Sequence, residues 1–266
     1  MLYDDLINKA QEEGIPEQVV LKEAIQIYVL SDLYAQPLSS KVTFQGGTCL
    51  RLVYGAPRYS DDIDFVSDAN DQDLNSIFLS LKKSIPKIGP LFNGNVELRK
   101  QKQTPQLSRW KVSYSTHPFT KSFSVKIELA HYPAYTYSLS PIHSSKSLPG
   151  LPFTIIRAET TEEILADKLI AIAGRPFIKG RDLFDIWFLE GKGVKLRQDL
   201  LIKKFSDYNV KKEKLKENIS LLSVESLKRE MNFFLPKRFR YQLEVDNYTA
   251  LLNTVRNVIM NGIDLL

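Results

Sequence analysis

The chain has 266 residues, of which 43% are hydrophobic, 25% charged and 11% aromatic, enough to bury a core and unlike a disordered or collagen-like chain. No apolar stretch approaches the roughly 18 uninterrupted residues of a membrane span, and the opening MLYDDLINKA is acidic and polar where a secretory signal is basic and then apolar, so a cytoplasmic protein without a membrane partner is expected. The net charge of +5 is uneven: Lys195 to Arg240 holds thirteen Lys or Arg against six Asp or Glu, a balance of +7 that leaves −2 elsewhere, and this basic region fits either a nucleic-acid partner or a set of solvated helix faces.

Apolar residues at three-to-four spacing predict helices over Tyr3 to Glu13 and Pro16 to Ala35. A short strand, Val42 to Phe44, runs into Gln45-Gly46-Gly47, and Thr48 to Tyr54 reads as a helix ended by Gly55 and Pro57. Asp62 to Val66 is a second strand and Asp71 to Ile85 a helix; Asn95 to Gln103, Ser108 to Tyr114 and Phe123 to Leu129 alternate as strands, with a weaker one near Ala134 to Leu139. Residues 140–158, rich in Pro, Ser and Gly, read as the boundary or an exposed loop, and everything after Glu159 reads as helix. The expectation is an α+β chain with a mixed β-sheet core and flanking helices over residues 1–145, followed by a C-terminal helical bundle over 146–266.

The most informative stretch is GGTCLRLVYGAPRYSDDIDF, from Gly46 to Phe65. Asp62 and Asp64 flank one apolar residue, so strand alternation sends both to one face, where acidic oxygens can hold Mg²⁺ against a nucleotide's phosphates. The diglycine lets backbone approach those phosphates without a Cβ clash, and the N–H groups of Gly46, Gly47 and Thr48 open a helix, with the Thr48 hydroxyl as a further donor. Asp61 points to the opposite face, as a solvated or salt-bridged neighbour. The single cysteine, Cys49, rules out a disulfide or a multi-cysteine zinc site, and His117, His131 and His143 lie in separate segments, so any metal is expected on oxygen ligands.

With fourteen residues between Gly47 and Asp62, this layout resembles the AbiEii-type nucleotidyltransferases, the toxins of AbiE-like and MenAT-like bacterial toxin–antitoxin systems within the polymerase-β-like nucleotidyltransferase superfamily. ETTEEILADKLIAIAGR followed by KGRDLFDIWFL is similar to that family's lysine-bearing helix and its RD-x-x-D helix, in the same order. The resemblance implies a nucleotidyltransferase-like fold and Mg²⁺-dependent (or Mn²⁺-dependent) transfer of a nucleoside monophosphate from an NTP to a nucleic-acid hydroxyl, the tRNA 3′ end above all. It further implies arrested translation and a cognate antitoxin. It makes Asp62 and Asp64 metal ligands, puts Arg51 with Gly46, Gly47 and Thr48 among the nucleotide-binding residues, and gives Lys168 the nucleotide phosphates.

Three assignments have two readings each. Glu128, on the strand Val125 to Leu129, is either the third carboxylate, metal ligand or general base, or an exposed residue paired with Lys126. Lys168, in an apolar helical stretch, needs a counter-charge, which either a phosphate or Asp182 and Asp185 supplies; those two aspartates share a helix face, so one can orient Lys168 and the other reach the site. The basic pairs from Lys203 to Arg240 offer a face to RNA, where Phe239 and Tyr241 either stack on bases or fill the core. Rival functions use the same Asp62 and Asp64: transfer to a small-molecule or protein acceptor, or a catalytically silent member that binds nucleotide or RNA.

Overall fold

A computed structural model describes residues 2–116, 121–142 and 150–266, so His117, His143 and part of the expected 140–158 boundary lie outside the described residues. The chain forms two compact units: Met1–Gly55 with Tyr59–Glu159, and Ala56–Arg58 with Thr160–Leu266.

In the first unit the predicted helical stripes become α1 (Leu2–Glu13) and α2 (Glu17–Tyr34). They are followed by β1 (Val42–Gln45), α3 (Gly46–Leu52), β2 (Ile63–Ser67), α4 (Asp71–Ser84), β3 (Gly94–Thr104), β4 (Leu107–Thr116), β5 (Ser122–Ala130), β6 (Tyr137–Pro141) and β7 (Ile155–Glu159). The seven strands form one mixed sheet in the order β3-β4-β5-β2-β1-β7-β6, with β2 parallel to β5, β1 parallel to β7 and the other neighbours antiparallel. Alternation along β3, β4 and β5 divides the sheet. Val96, Leu98, Trp110, Val112, Tyr114, Val125, Ile127 and Leu129 are buried on one face, whereas the residues between them stay partly open to solvent. α2 and α4 pack in this unit with the buried side, where the Phe78 ring meets Trp110 edge-on at 5.3 Å; large aromatic side chains like these supply much of the apolar area a core needs.

The expected boundary at residue 145 is corrected by β7, which keeps the chain in the first unit as far as Glu159. Its inward residues, Ile156 and Ala158, are buried, and Ala158 pairs with Phe44 of β1. Five residues beside a Pro/Ser/Gly-rich stretch give too short an alternation to separate strand from loop.

The second unit contains α5 (Thr161–Gly174), α6 (Gly180–Gly191), α7 (Gln198–Asp207), α8 (Glu213–Asn218), α9 (Val224–Phe234), α10 (Lys237–Glu244) and α11 (Thr249–Leu265). The helical reading after Glu159 is interrupted between α10 and α11, where Asn247 and Tyr248 take left-handed backbone at φ 55 and 63. α10 is hard to read from its sequence because only Leu243 in it is buried. No helix among the described residues is long and apolar enough to cross a membrane.

Candidate active site

The stretch leading to β2 is fastened inside the first unit. Lys22 of α2 reaches Asp61 at 2.6 Å, Gln26 donates to the Ser60 carbonyl at 3.0 Å, and the Tyr59 hydroxyl donates to Glu13 at 2.9 Å. Thr48, fully buried in α3, donates its hydroxyl to the Asp62 carbonyl. That bond holds the backbone of the acidic motif, and it leaves no side-chain proton for the phosphate expected from the sequence. Arg51 is similarly engaged: its Nε lies 2.7 Å from Glu23 and its guanidinium stacks on the Tyr59 ring at 3.8 Å. Burial acts to lower the Arg51 pKa, but the Glu23 carboxylate outweighs it and raises the pKa, so the charge is kept. In this structure Arg51 braces the loop through Glu23 and Tyr59.

Asp64 lies within β2, with Gln45 of β1 as its register partner on one side and Glu128 of β5 on the other. Its carboxylate packs on Gly46, where a Cβ would sit 2.7 Å from Oδ2, and Gly46 takes φ +78. The first glycine of the pair thus serves Asp64, since any side chain there meets both a clash and a backbone region that disfavours L residues. Gly47 follows, buried, as the second residue of a helix of only seven.

Asp62 sits one residue ahead of β2, so strand alternation does not set its direction. Its Oδ1 accepts the Lys126 backbone N–H at 3.1 Å and its Oδ2 lies 3.6 Å from Lys126 Nζ, which extends the β2–β5 pairing by one residue. Glu128 has Arg109 Nε at 2.8 Å, an ion pair in which the N–H is not aligned for a hydrogen bond. Lys126 thus partners Asp62, not Glu128 as one reading had it. Among the described residues no group of three or more His, Cys, Asp or Glu is already gathered as a metal site. The donor set nevertheless fits a hard divalent ion: all three side chains are carboxylates, Asp64 and Glu128 are neighbours on strands about 4.8 Å apart, and amino-acid cations balance Asp62 and Glu128.

The second unit gathers the other predicted residues. Lys168 of α5 lies 2.9 Å from Asp182 and 2.6 Å from Asp185 of α6, so neither aspartate is spare. Arg58 grips Asp185 with both ends of its guanidinium, at 2.6 and 2.5 Å, and Arg175 pairs with Asp182. Burial opposes the charge on Asp182, but Lys168 and Arg175 hold its carboxyl down at about 2. Burial likewise acts to lower the Lys168 pKa, and the two aspartates overcome it, so the ammonium stays charged. Arg181 anchors α6 to α9: its backbone N–H donates to Glu230 at 2.7 Å, and its guanidinium lies over the Phe234 ring. Three cations face two aspartates here, and Lys179, lowered by burial and by Arg175 and Arg181, marks the same positive surplus. Lys204, expected on a basic RNA-facing surface, is instead fully buried between Glu163 at 2.8 Å and Asp167 at 3.1 Å. Tyr241 is exposed and Phe239 half-buried.

Residues 28–254 match the family described as nucleotidyl transferase AbiEii toxin of Type IV toxin–antitoxin systems. The chain belongs to the AbiEii nucleotidyltransferase toxin family. It is therefore an enzyme of the nucleotidyltransferase class, and the Gly46–Asp64 and Lys168–Asp185 clusters both lie within the matched AbiEii span. Among solved structures it is similar in fold to JHP933 of Helicobacter pylori, at 19% identity with a TM-score of 0.55, over 94% of this chain and 93% of that one. A second H. pylori structure, described as a candidate nucleotidyltransferase, shares 20% identity with a TM-score of 0.53, over 94% and 96%. No curated protein matches the chain.

In this AbiEii chain the first unit carries Asp62, Asp64, Glu128, Gly46, Gly47, Thr48 and Arg51, and the second carries Lys168, Asp182 and Asp185. Sequence reasoning missed Arg58 as the clamp on Asp185, Arg109 as the partner of Glu128, and the loop-bracing Lys22, Gln26 and Glu23. Arg109 carried a signal, since it stands at a polar position of an alternating strand; Arg58 stands where the resembled pattern expects an arginine, but its pairing with Asp185, 127 residues away, left no trace in the sequence.

Proposed function

We propose that this chain transfers a nucleoside monophosphate from an NTP to an RNA hydroxyl, releasing pyrophosphate, with Mg²⁺ (or Mn²⁺) bound by Asp62 and Asp64 and the tRNA 3′ end as acceptor. The observation that carries the reading is Asp64 packed on Gly46 in register with Glu128, with Asp62 at the head of the same strand. When bound, the divalent ion supplies charge neutralisation at the phosphates, which lowers the barrier to an attacking hydroxyl. Asp62 and Asp64 would hold the ion from positions fixed by the protein, one by its bond to the Lys126 backbone and the other by its seat on Gly46. The acceptor oxygen forms its bond to the α-phosphorus as the bond to pyrophosphate breaks, and Glu128 takes the hydroxyl's proton. The positive surplus around Lys168 suits a phosphate group, and Asp182 and Asp185 set the position of that ammonium. The tRNA acceptor, a cognate antitoxin as protein partner and a cytoplasmic setting rest on the family resemblance.

The test incubates the full chain with Mg²⁺, each labelled NTP in turn and total bacterial tRNA, beside Asp64→Ala. Label on RNA that vanishes in the variant supports the proposal. Label on a protein or small molecule, with none on RNA, overturns the acceptor, and labelling that survives Asp64→Ala overturns the site.

A further inference from the structure

The open face of β3, β4 and β5 carries two cross-strand rows of cations that the reading above does not use. In one row Arg99 of β3 stands opposite Lys111 of β4, which stands opposite Lys126 of β5. The register shift between Lys100 and Lys102 brings Lys102 opposite Arg109, which stands opposite Glu128, itself paired with Asp64. Both rows therefore run from the edge strand to the acidic motif, the first ending where Lys126 contacts Asp62 and the second at Glu128 and Asp64.

Like charges directly opposite each other on a sheet are destabilising, so a row of three is not explained by packing. Among the described residues Glu97, paired with Arg99 at 2.6 Å, Glu128 beside Arg109, and Asp62 beside Lys126 interrupt the positive field, and an exposed pair such as Arg99–Glu97 commits its arginine weakly. Beside the first row lies a cavity of about 790 Å³ bordered by Arg99, Lys111, Glu97, Ser113, Ser115 and Ser124 among others. It offers hydroxyl donors next to the cations, groups that suit the phosphates and sugars of a single strand.

We infer that this sheet face is the path by which the acceptor RNA reaches the carboxylates, as a single strand with its phosphates on Arg99, Lys111 and Lys126. The inference rests on the RNA-acceptor reading and moves the contact from the basic helices to the sheet. With strands about 4.8 Å apart, the row spans about 10 Å from β3 to β5, so an RNA 3′ end laid along it points at Asp62 and Asp64.

The experiment measures binding of a labelled single-stranded RNA of about 12 nucleotides to the full chain and to the double variant Arg99→Gln/Lys111→Gln across a salt series. The expected result is a tenfold or greater rise in Kd and a salt slope shallower by about 1.4, because the variant neutralises two fewer phosphates of a single strand. The KM for NTP should stay unchanged, and thermal stability should not fall, because the variant relieves repulsion. Wild-type affinity and slope in the variant would overturn the inference, as would a rise in the NTP KM with RNA binding intact, which would give the row to the triphosphate. The labelling assay separates the two failures. If the variant still binds and labels RNA as wild type does, only the path is wrong; if the wild-type chain neither binds nor labels RNA, the acceptor reading falls and takes the path with it.

Discussion

The chain holds two pairs of functionally suspected aspartates in opposite surroundings. Asp62 precedes a strand with its side chain 28% exposed, and Lys126, its charged partner, is itself open to solvent. Asp182 and Asp185 are 7% and 0% exposed, and Lys168, Arg58 and Arg175 answer them at hydrogen-bonding distance. A carboxylate near solvent with a movable partner can exchange that partner for a metal ion at little cost. A buried one cannot, because removing either partner leaves an uncompensated charge in low dielectric. The same residue type thus stands open to exchange in one unit and locked in ion pairs in the other.

The sharpest way to break this contrast is Asp64→Ala, which should cost at least about a thousandfold in labelling while the thermal midpoint stays near wild type. A matching collapse in stability would make Asp64 structural. Asp185→Ala should do the reverse, losing about 3–5 kcal/mol in urea unfolding because Arg58 and Lys168 stay buried without it; an unchanged midpoint would mean that the cluster is not holding the fold. Asp182→Asn tests the same cluster by pH. The Asp182 carboxyl is depressed from 3.8 to about 2, so it binds its proton less readily folded than unfolded. The stability it contributes, about 2 kcal/mol, is complete above the unfolded value and lost as pH falls through the folded one. Wild type should lose it between pH 4 and 2, and the variant should show a flatter stability profile there. The smallest effect expected is from Gly46→Ala, about 1–2 kcal/mol of backbone strain, with a larger loss of turnover because the new methyl displaces the Asp64 carboxylate. Unchanged kinetics would separate Gly46 from the placement of Asp64.

Much of the first unit was legible because its strands alternate cleanly and its helices carry strong apolar stripes. Trp110, Val112 and Tyr114 in β4 declare one face as core, and the interposed Arg109, Lys111 and Ser113 declare the other. The acidic motif and its glycines were legible as a spacing, but the reason for the first glycine was not, since the seat of Asp64 on Gly46 is a contact between a helix start and a strand. The roles of Thr48 and Arg51 were illegible for the same reason: their partners, the Asp62 carbonyl and Glu23, lie 14 and 28 residues away and leave no periodic trace. Counting charge by sequence segment gathers residues 195–240 but cannot see the sheet's cations. Lys204 in that segment is buried, whereas the cations of the sheet are dispersed over three strands and only register assembles them into rows.

Arg58 has a consequence for how the chain is made. It belongs with Ala56 and Pro57 to the second unit, although residues from both sides of it build the first. During synthesis this arginine leaves the ribosome more than a hundred residues before Asp185, its buried partner. A C-terminal fragment beginning at Thr160 would bury Asp185 against Lys168 alone, without the guanidinium that grips both of its oxygens. The stretch before Asp62 can be fastened to Lys22, Gln26 and Glu13 as soon as it is made, while Arg58 waits for its partner until α6 has been translated.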